Sequence, residues 1–345
     1  MIFIGQWMQI LLSNPGKSPK LKLSEDVKGP LKPKSGEILI QTAFSGLNFA
    51  DVMMTMDLYP EAPKPPFCPG YEVSGWVAAM GENVSGFQVG DPVMAGTRFG
   101  GYADHLVLPA WQVRKLPPHL NLEKGASLMV SYLTADLCLH ELCRVRSDDT
   151  VMIYCGSGSL GAIVIEICLK LGVKEVIGLT SREEKLSLIK DRGAKAMTMD
   201  QWQASEQKVD IIINSRGGST IKQDRARLKP LGRIVGLGAS HMTNKGKKSF
   251  LKIISEYLSF GLIHPIQLMN ENVFVGGLNV LRLFDVPEKM EASLKRLEGL
   301  ELHPALDKIF KAEEASEAIN YLASGKSRGK VLLKWRDSFE EKNVF

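Results

Sequence analysis

Three glycines at G-x-G-x-x-G spacing, Gly156, Gly158 and Gly161 in "YCGSGSLGAI", are the residues of this chain with the most readable chemistry. In a strand-to-helix turn the first glycine permits the turn and the second lets the backbone approach a pyrophosphate. The third lets the helix pack closely on the strand. The start of such a helix offers N–H groups and a positive dipole end to phosphates, and Ser157, Ser159 and Leu160 complete the loop. The plainer reading is a structural glycine turn, and the flanking strand and helix weigh against it. About twenty residues on, a site for NAD places Asp or Glu on the ribose 2′-OH. Here the second strand ends Leu179-Thr180-Ser181-Arg182, with Lys185 after it. Thr180 stands where the acid would be. Ser181, Arg182 and Lys185 suit a 2′-phosphate through charge-assisted hydrogen bonds, which favours NADPH. The alternative for the two cations is a solvated helix start.

Other chemistry is thin. His105, His119, His140, His241, His264 and His303 show no pairing at metal or triad spacing, and none of the five cysteines forms a C-x-x-C pair. An odd number of unpaired thiols suits a reducing, cytoplasmic compartment. The start, "MIFIGQWMQILLSNPGKSPK", reads as a first strand rather than a signal peptide. No apolar run reaches the ~18 residues of a membrane-spanning helix. The net charge of +5 is spread along the chain, so no basic stripe points to nucleic acid.

The elements that must hold the loop follow from patterning. With 345 residues and 44% hydrophobic content the chain can bury one large core or form two domains of ordinary size. Residues 1 to about 120 alternate short apolar runs such as "EILIQTAFSGLN", "VSGWVAAMG" and "ADHLVLPA" with Gly, Pro and Asp turns, which predicts a β-rich, barrel-like region. "LEKGASLMVSYLTADLCLHEL" has helical spacing. From 150 to about 240, strand and helix alternate: "TVMIY", the glycine loop, Leu160 to Leu171, "EVIGLTS", "REEKLSLIKDRGA", "VDIIINS", "DRARLKPL" and "GRIVGLGAS". That alternation predicts a doubly wound parallel sheet. "FLKIISEYLSFGLI" reads as a helix, "NVFVGGLNVLRLF" as a strand apolar on both faces, "PEKMEASLKRLEGL" as an amphipathic helix, and the C-terminal stretch as strand, helix, turn, strand.

The order of a β-rich domain, a late glycine loop and a C-terminal return resembles the medium-chain dehydrogenase/reductase superfamily. "GLNFADVM", "PGYEVSGWVAAMGENVSGFQVGDPVMA", "CGSGSLG" and "GKVLL" carry the resemblance. It implies an α/β fold: a GroES-like β-rich catalytic domain and a doubly wound Rossmann cofactor domain. The expected divisions are 1–124 catalytic, 125–282 NADP(H)-binding and 283–345 returning to the catalytic domain. Zinc-dependent members carry a ligand Cys in "G-x-C-x-x-D" and a ligand His in "G-H-E". Here those positions are Asn48 and Tyr71, and the four-cysteine cluster of that branch is missing. Zinc sites need three or four thiolate, imidazole or carboxylate ligands, so no metal is expected. The chain resembles the zinc-independent quinone oxidoreductase branch. With "PIQLMNENVFVGGLNVLRL" it resembles the vesicle amine transport protein subgroup of that branch. It departs at Asn214, where the family usually has Asp, and at Cys155-Gly156-Ser157, where the branch usually has small residues followed by paired glycines.

What the resemblance implies is an NADPH-dependent reductase of quinones or α,β-unsaturated carbonyl compounds. It further implies a small apolar substrate, a homodimer with the active site in the cleft between domains, and peripheral association with vesicle or organelle membranes as a variant of the cytoplasmic location. The rival is a nucleotide-binding, membrane-associated scaffold of the same fold with little or no turnover. Asn48 and Tyr59 are the implied catalytic residues, Asn48 as a donor to ribose or substrate carbonyl and Tyr59 as proton donor. For Asn48 the competing reading is a turn residue bonding its own backbone, and for Tyr59 it is packing beside the proline loop. Thr134, Gly236, Gly238, Phe274, Gly276 and Lys330 are the further implied cofactor residues, with Ala239 beside Gly238. Asp51 reads as a structural carboxylate, and Met53, Met54 and Met56 as core or apolar pocket wall.

Overall fold

A computed structural model of the chain describes residues 7–16, 18–25, 32–217, 220–238, 243–244, 247–248 and 264–340. It divides into two units, Met1–Val130 with Pro304–Phe345, and Ser131–His303.

The first unit is built on a seven-stranded sheet. Its order is Leu306–Lys311, Lys330–Lys334, Glu37–Gly46, Glu72–Met80, Pro92–Gly96 and Val113–Lys115, with His105–Pro109 also paired to Glu37–Gly46. Glu37–Gly46 is buried along nearly its whole length because it has three partner strands. Ile38, Ile40, Val73, Val77, Val93, Ala95, Leu108 and Val113 fill one core. Ile10, Leu47, Val52, Met56, Phe310, Ile319 and Leu333 fill a second, where helices Phe49–Thr55 and Ala315–Ala323 pack together.

Register then brings distant residues level. Lys330–Lys334 runs antiparallel to Glu37–Gly46 with Leu332 opposite Gly46, and Leu47 N–H donates to Val331 C=O at 2.9 Å. Lys330 therefore stands beside Asn48. Ser45 pairs with Val73 on the other side, which sets Glu72 beside Gly46. A Cβ on Gly46 would lie 2.1 Å from the Ala126 carbonyl oxygen and 2.9 Å from both Glu72 Cγ and Lys330 Cε, so only glycine fits between that backbone and those two side chains.

The second unit holds a six-stranded, all-parallel sheet in the order Lys195–Thr198, Glu175–Thr180, Thr150–Ile153, Val209–Asn214, Leu228–Gly236 and Phe274–Gly277. The chain builds outward from Thr150–Ile153 in one direction, then returns to build in the other. The reversal between Thr150–Ile153 and Val209–Asn214 is the switch point at which such sheets bind ligands, outside the strands' carboxyl ends. Met152, Ile177, Leu179, Trp202, Ile212 and Ile234 form the core of one face.

Several expectations shift. The helical stretch 122–142 is broken into helices Leu122–Gly125 and Ser131–Leu137 and a wider π turn, Cys138–Leu142. "DRARLKPL" ends as helix at Ala226 and becomes strand from Leu228. The expected strand over 272–284 is limited to Phe274–Gly277, because Asn279 Oδ1 accepts the Leu281 N–H and opens a 3-10 turn, Val280–Asp285. The expected helix over 250–263, together with Ala239 and His241, lies outside the described residues. The divisions fall at 130/131 and 303/304 rather than at 124/125 and 282/283. Helix Pro287–Glu298 stays with the second unit because Ser293 Oγ and Arg296 Nη2 donate to the buried Asp136 carboxylate of helix Ser131–Leu137, at 2.6 and 2.7 Å.

Candidate active site

In the second unit the glycine loop turns from strand Thr150–Ile153 into helix Ser159–Lys170. A Cβ on Gly156 would meet Gly178 Cα at 2.7 Å, and one on Gly161 would meet Cys155 O at 2.3 Å. Both glycines are therefore required by close backbone approach. Cys155, between them and the strand, takes a left-handed φ of 55° and is exposed. The first N–H groups of the helix, at Ser159, Leu160 and Gly161, have no partner inside the helix. A cradle of this shape at a twelve-residue helix's N-terminus fits a pyrophosphate.

Across the first sheet neighbour, Thr180 is buried, and its Oγ1 accepts the Arg182 N–H at 3.3 Å. Arg182 pairs with Glu184 at 3.7 Å, Ser181 is exposed and Lys185 is buried. On the other side, Asn214, Asp224, Thr220 and Tyr154 form a buried network. Asn214 Nδ2 donates to Asp224 Oδ2 at 2.9 Å and to Thr220 Oγ1 at 2.7 Å. Tyr154 OH donates to Asp224 Oδ1 at 2.6 Å. Burial pushes the Asp224 carboxyl up to about 6, against the pull of those donors. Gly236 and Gly238 follow at the end of the next strand, where Leu237 N–H donates to Asn214 C=O at 2.8 Å. Phe274 is half-exposed on the last strand and its ring covers Gly276, where a Cβ would lie 2.7 Å from Phe274 Cε1. Thr134 is half-buried on helix Ser131–Leu137.

The first unit gathers a second cluster. Lys330, 2% exposed, places its ammonium 2.5 Å from Glu72 Oε1 and 2.8 Å from Asn48 Oδ1. Because an ammonium has no acceptor, this contact fixes the oxygen end of the Asn48 amide. Its Nδ2 then faces Glu72 Oε1 at 3.1 Å and Gly46 O at 3.4 Å. Glu72 Oε2 accepts the Val130 N–H at 2.9 Å. Asp51 Oδ2 accepts the Asn48 N–H at 2.8 Å and the Tyr102 hydroxyl at 2.9 Å, and burial pushes the Asp51 carboxyl up to about 6. Tyr71 is fully buried, its hydroxyl on Met54 Sδ at 3.4 Å, and its ring lies 6.3 Å from that of the half-buried Tyr59.

Residues 34–118 match the alcohol dehydrogenase GroES-like domain, and residues 171–333 match the zinc-binding dehydrogenase family. The chain belongs to the medium-chain dehydrogenase/reductase superfamily. Two of its relatives within the superfamily come from Mus musculus. Synaptic vesicle membrane protein VAT-1 homolog-like is 28% identical over 337 residues, covering 94% of this chain and 80% of that protein. Quinone oxidoreductase-like protein 2 is 28% identical over 339 residues, covering 95% and 93%. The quinone oxidoreductase of Thermus thermophilus, solved with and without NADPH, aligns with a TM-score of 0.76 at 26% identity over 95% of this chain and all of that one.

For a member of this superfamily the departures are informative. Among the described residues no three His, Cys, Asp or Glu side chains gather as a metal-binding group. At Asn48 and Glu72 the local cation is the ammonium of Lys330. Lys330, implied by the resemblance as a cofactor residue, belongs to the first unit and engages Glu72 and Asn48, while the glycine loop belongs to the second. Sequence reasoning gave no role to Glu72, although it is the acid of the stretch matching G-H-E and a charge opening an otherwise apolar strand, and it missed Asp224, which reads as an ordinary helix-surface acid.

Proposed function

We propose that this chain is an NADPH-dependent reductase of quinones or α,β-unsaturated carbonyl compounds that works without zinc. The observation that carries the reading is the Lys330–Glu72–Asn48 set, which puts a covalently attached cation and an oriented amide where the zinc-dependent branch carries a metal ligand. The glycine cradle supports it by fitting a dinucleotide pyrophosphate, and relatives named as quinone oxidoreductases support the substrate class.

When bound, the nicotinamide supplies the hydride; the chain's residues do the rest. Gly156 to Gly161 hold the phosphates, while Ser181 and Arg182 meet the ribose phosphate; the structure buries Lys185, the third residue the sequence suggested for it. Reduction of a conjugated carbonyl puts charge on its oxygen, which needs hydrogen-bond donors. Asn48 Nδ2 is the donor proposed. Its 3.4 Å contact to Gly46 O is the looser of its two, and is the one a substrate oxygen would replace. Tyr59, half-buried, is the proposed proton donor.

Variant kinetics test this assignment. Tyr59→Phe should leave NADPH affinity unchanged and lower enone turnover roughly 10²–10⁴-fold. It should spare quinone reduction, whose product takes its proton from water. Asn48→Ala should harm both. Equal enone turnover by wild type and Tyr59→Phe would make Tyr59 a packing residue.

A further inference from the structure

Asn214 and its buried partners have no part in the reaction as proposed, yet they hold one cation in place. Asn214 Oδ1 accepts the N–H of Arg216 at 2.8 Å and that of Gly217 at 3.0 Å, which fixes the backbone just past the strand. The same side chain's Nδ2 bonds Asp224, and Asp224 accepts the Tyr154 hydroxyl. Tyr154 immediately precedes the glycine loop, and the guanidinium of Arg216 lies 5.9 Å from the centre of its ring, within the range of a cation–π contact. Arg216 is thus anchored by its backbone and steered by its side chain, both through one network. An aspartate at 214 would press a second carboxylate against Asp224, so the departure at Asn214 is what allows the network to form.

The register says where that cation stands. Ile213 and Gly178 are both level with Ile153, on opposite sides of the central strand. The loop after Asn214 and the loop after Thr180 therefore flank the glycine turn, two strand spacings, roughly 10 Å, apart. Of the cations across that gap, Lys185 is buried and Arg182 faces Glu184. A nucleotide seated on Gly156–Gly161 would have its ribose near the end of the second strand, facing Arg216 from the other side.

We infer that Arg216 forms the opposite wall of the adenosine site and selects ligands carrying a 2′-phosphate. The planar guanidinium suits phosphate bidentately. This rests on the NADPH reading above and names a residue that fixes it.

Fluorescence titration of the full chain tests the inference with NADPH, NADH, 2′,5′-ADP and 5′-ADP. Arg216→Ala and Arg216→Gln should each weaken NADPH and 2′,5′-ADP about tenfold or more, as expected for a lost charge-assisted pair. NADH and 5′-ADP should change less than twofold, and the melting temperature should hold. Arg216→Gln keeps a planar amide for stacking without the charge. A loss shared equally by ligands with and without the 2′-phosphate would mean the residue stacks on adenine or only supports the loop, and would overturn the inference, as would no loss. A wild type that binds none of the four would sink the nucleotide reading itself, a result distinct from selective failure of the variants.

Discussion

Asp51 shows how a single residue links the site to stability. Its carboxylate accepts the Asn48 N–H and the Tyr102 hydroxyl and is 1% exposed. Burial raises it from 3.8 to about 6, so the folded chain favours the neutral acid. A raised carboxyl contributes stability that is fully present below the unfolded value, near pH 4, and is lost as pH rises through 6. Asp51→Asn removes that dependence. Between pH 4 and pH 7 the variant should gain about 2–3 kcal/mol on the wild type, read by denaturant unfolding at both pH values. A gap that stays constant with pH would contradict the shift. At this scale legibility was uneven. Gly156 and Gly161 were readable because backbone sterics admit no other residue there. The partnership of Glu72 with Lys330 was not, because it joins positions 258 apart and exists only through strand register.

Elements were read well where one period dominates. The alternation from 150 to 240 predicted the parallel sheet, and Thr150–Ile153, Glu175–Thr180, Val209–Asn214 and Leu228–Gly236 overlap the apolar runs, but the edge strand Lys195–Thr198 was missed because no residue in it is fully buried to mark an apolar period. Reading failed where two adjacent signals compete, as at Gly276-Gly277 and Asn279, which stop the last strand after four residues. That strand, Phe274–Gly277, pairs with Leu228–Gly236 and is the sheet's last among the described residues. Just before it, Ile266 and Met269 are 58% and 72% exposed on helix Pro265–Glu271. An apolar strand edge is a template for another chain, and a two-fold axis would let a second copy meet it with the same surface. Light scattering at micromolar concentration should therefore return twice the 38.1 kDa of the chain. A mass of one chain would exclude the dimer.

The whole molecule consists of two units with distinct chemistry. One carries a phosphate-shaped cradle, the other an amide oriented by a buried ion pair. No helix among the described residues is long and apolar enough to cross a membrane. The three glycines made the cradle legible in the sequence, and Asn48 and Tyr71 stand where the zinc-dependent branch carries Cys and His. The cation beside Asn48 appeared only when the last strand, Lys330–Lys334, was seen against Glu37–Gly46. The most direct test of the account is NADPH consumption by the chain purified in chelator, with an enone or a quinone as acceptor. Turnover should depend on the acceptor and be unchanged by added zinc. NADPH binding with no turnover of either acceptor, or turnover that appears only with stoichiometric zinc, would contradict it.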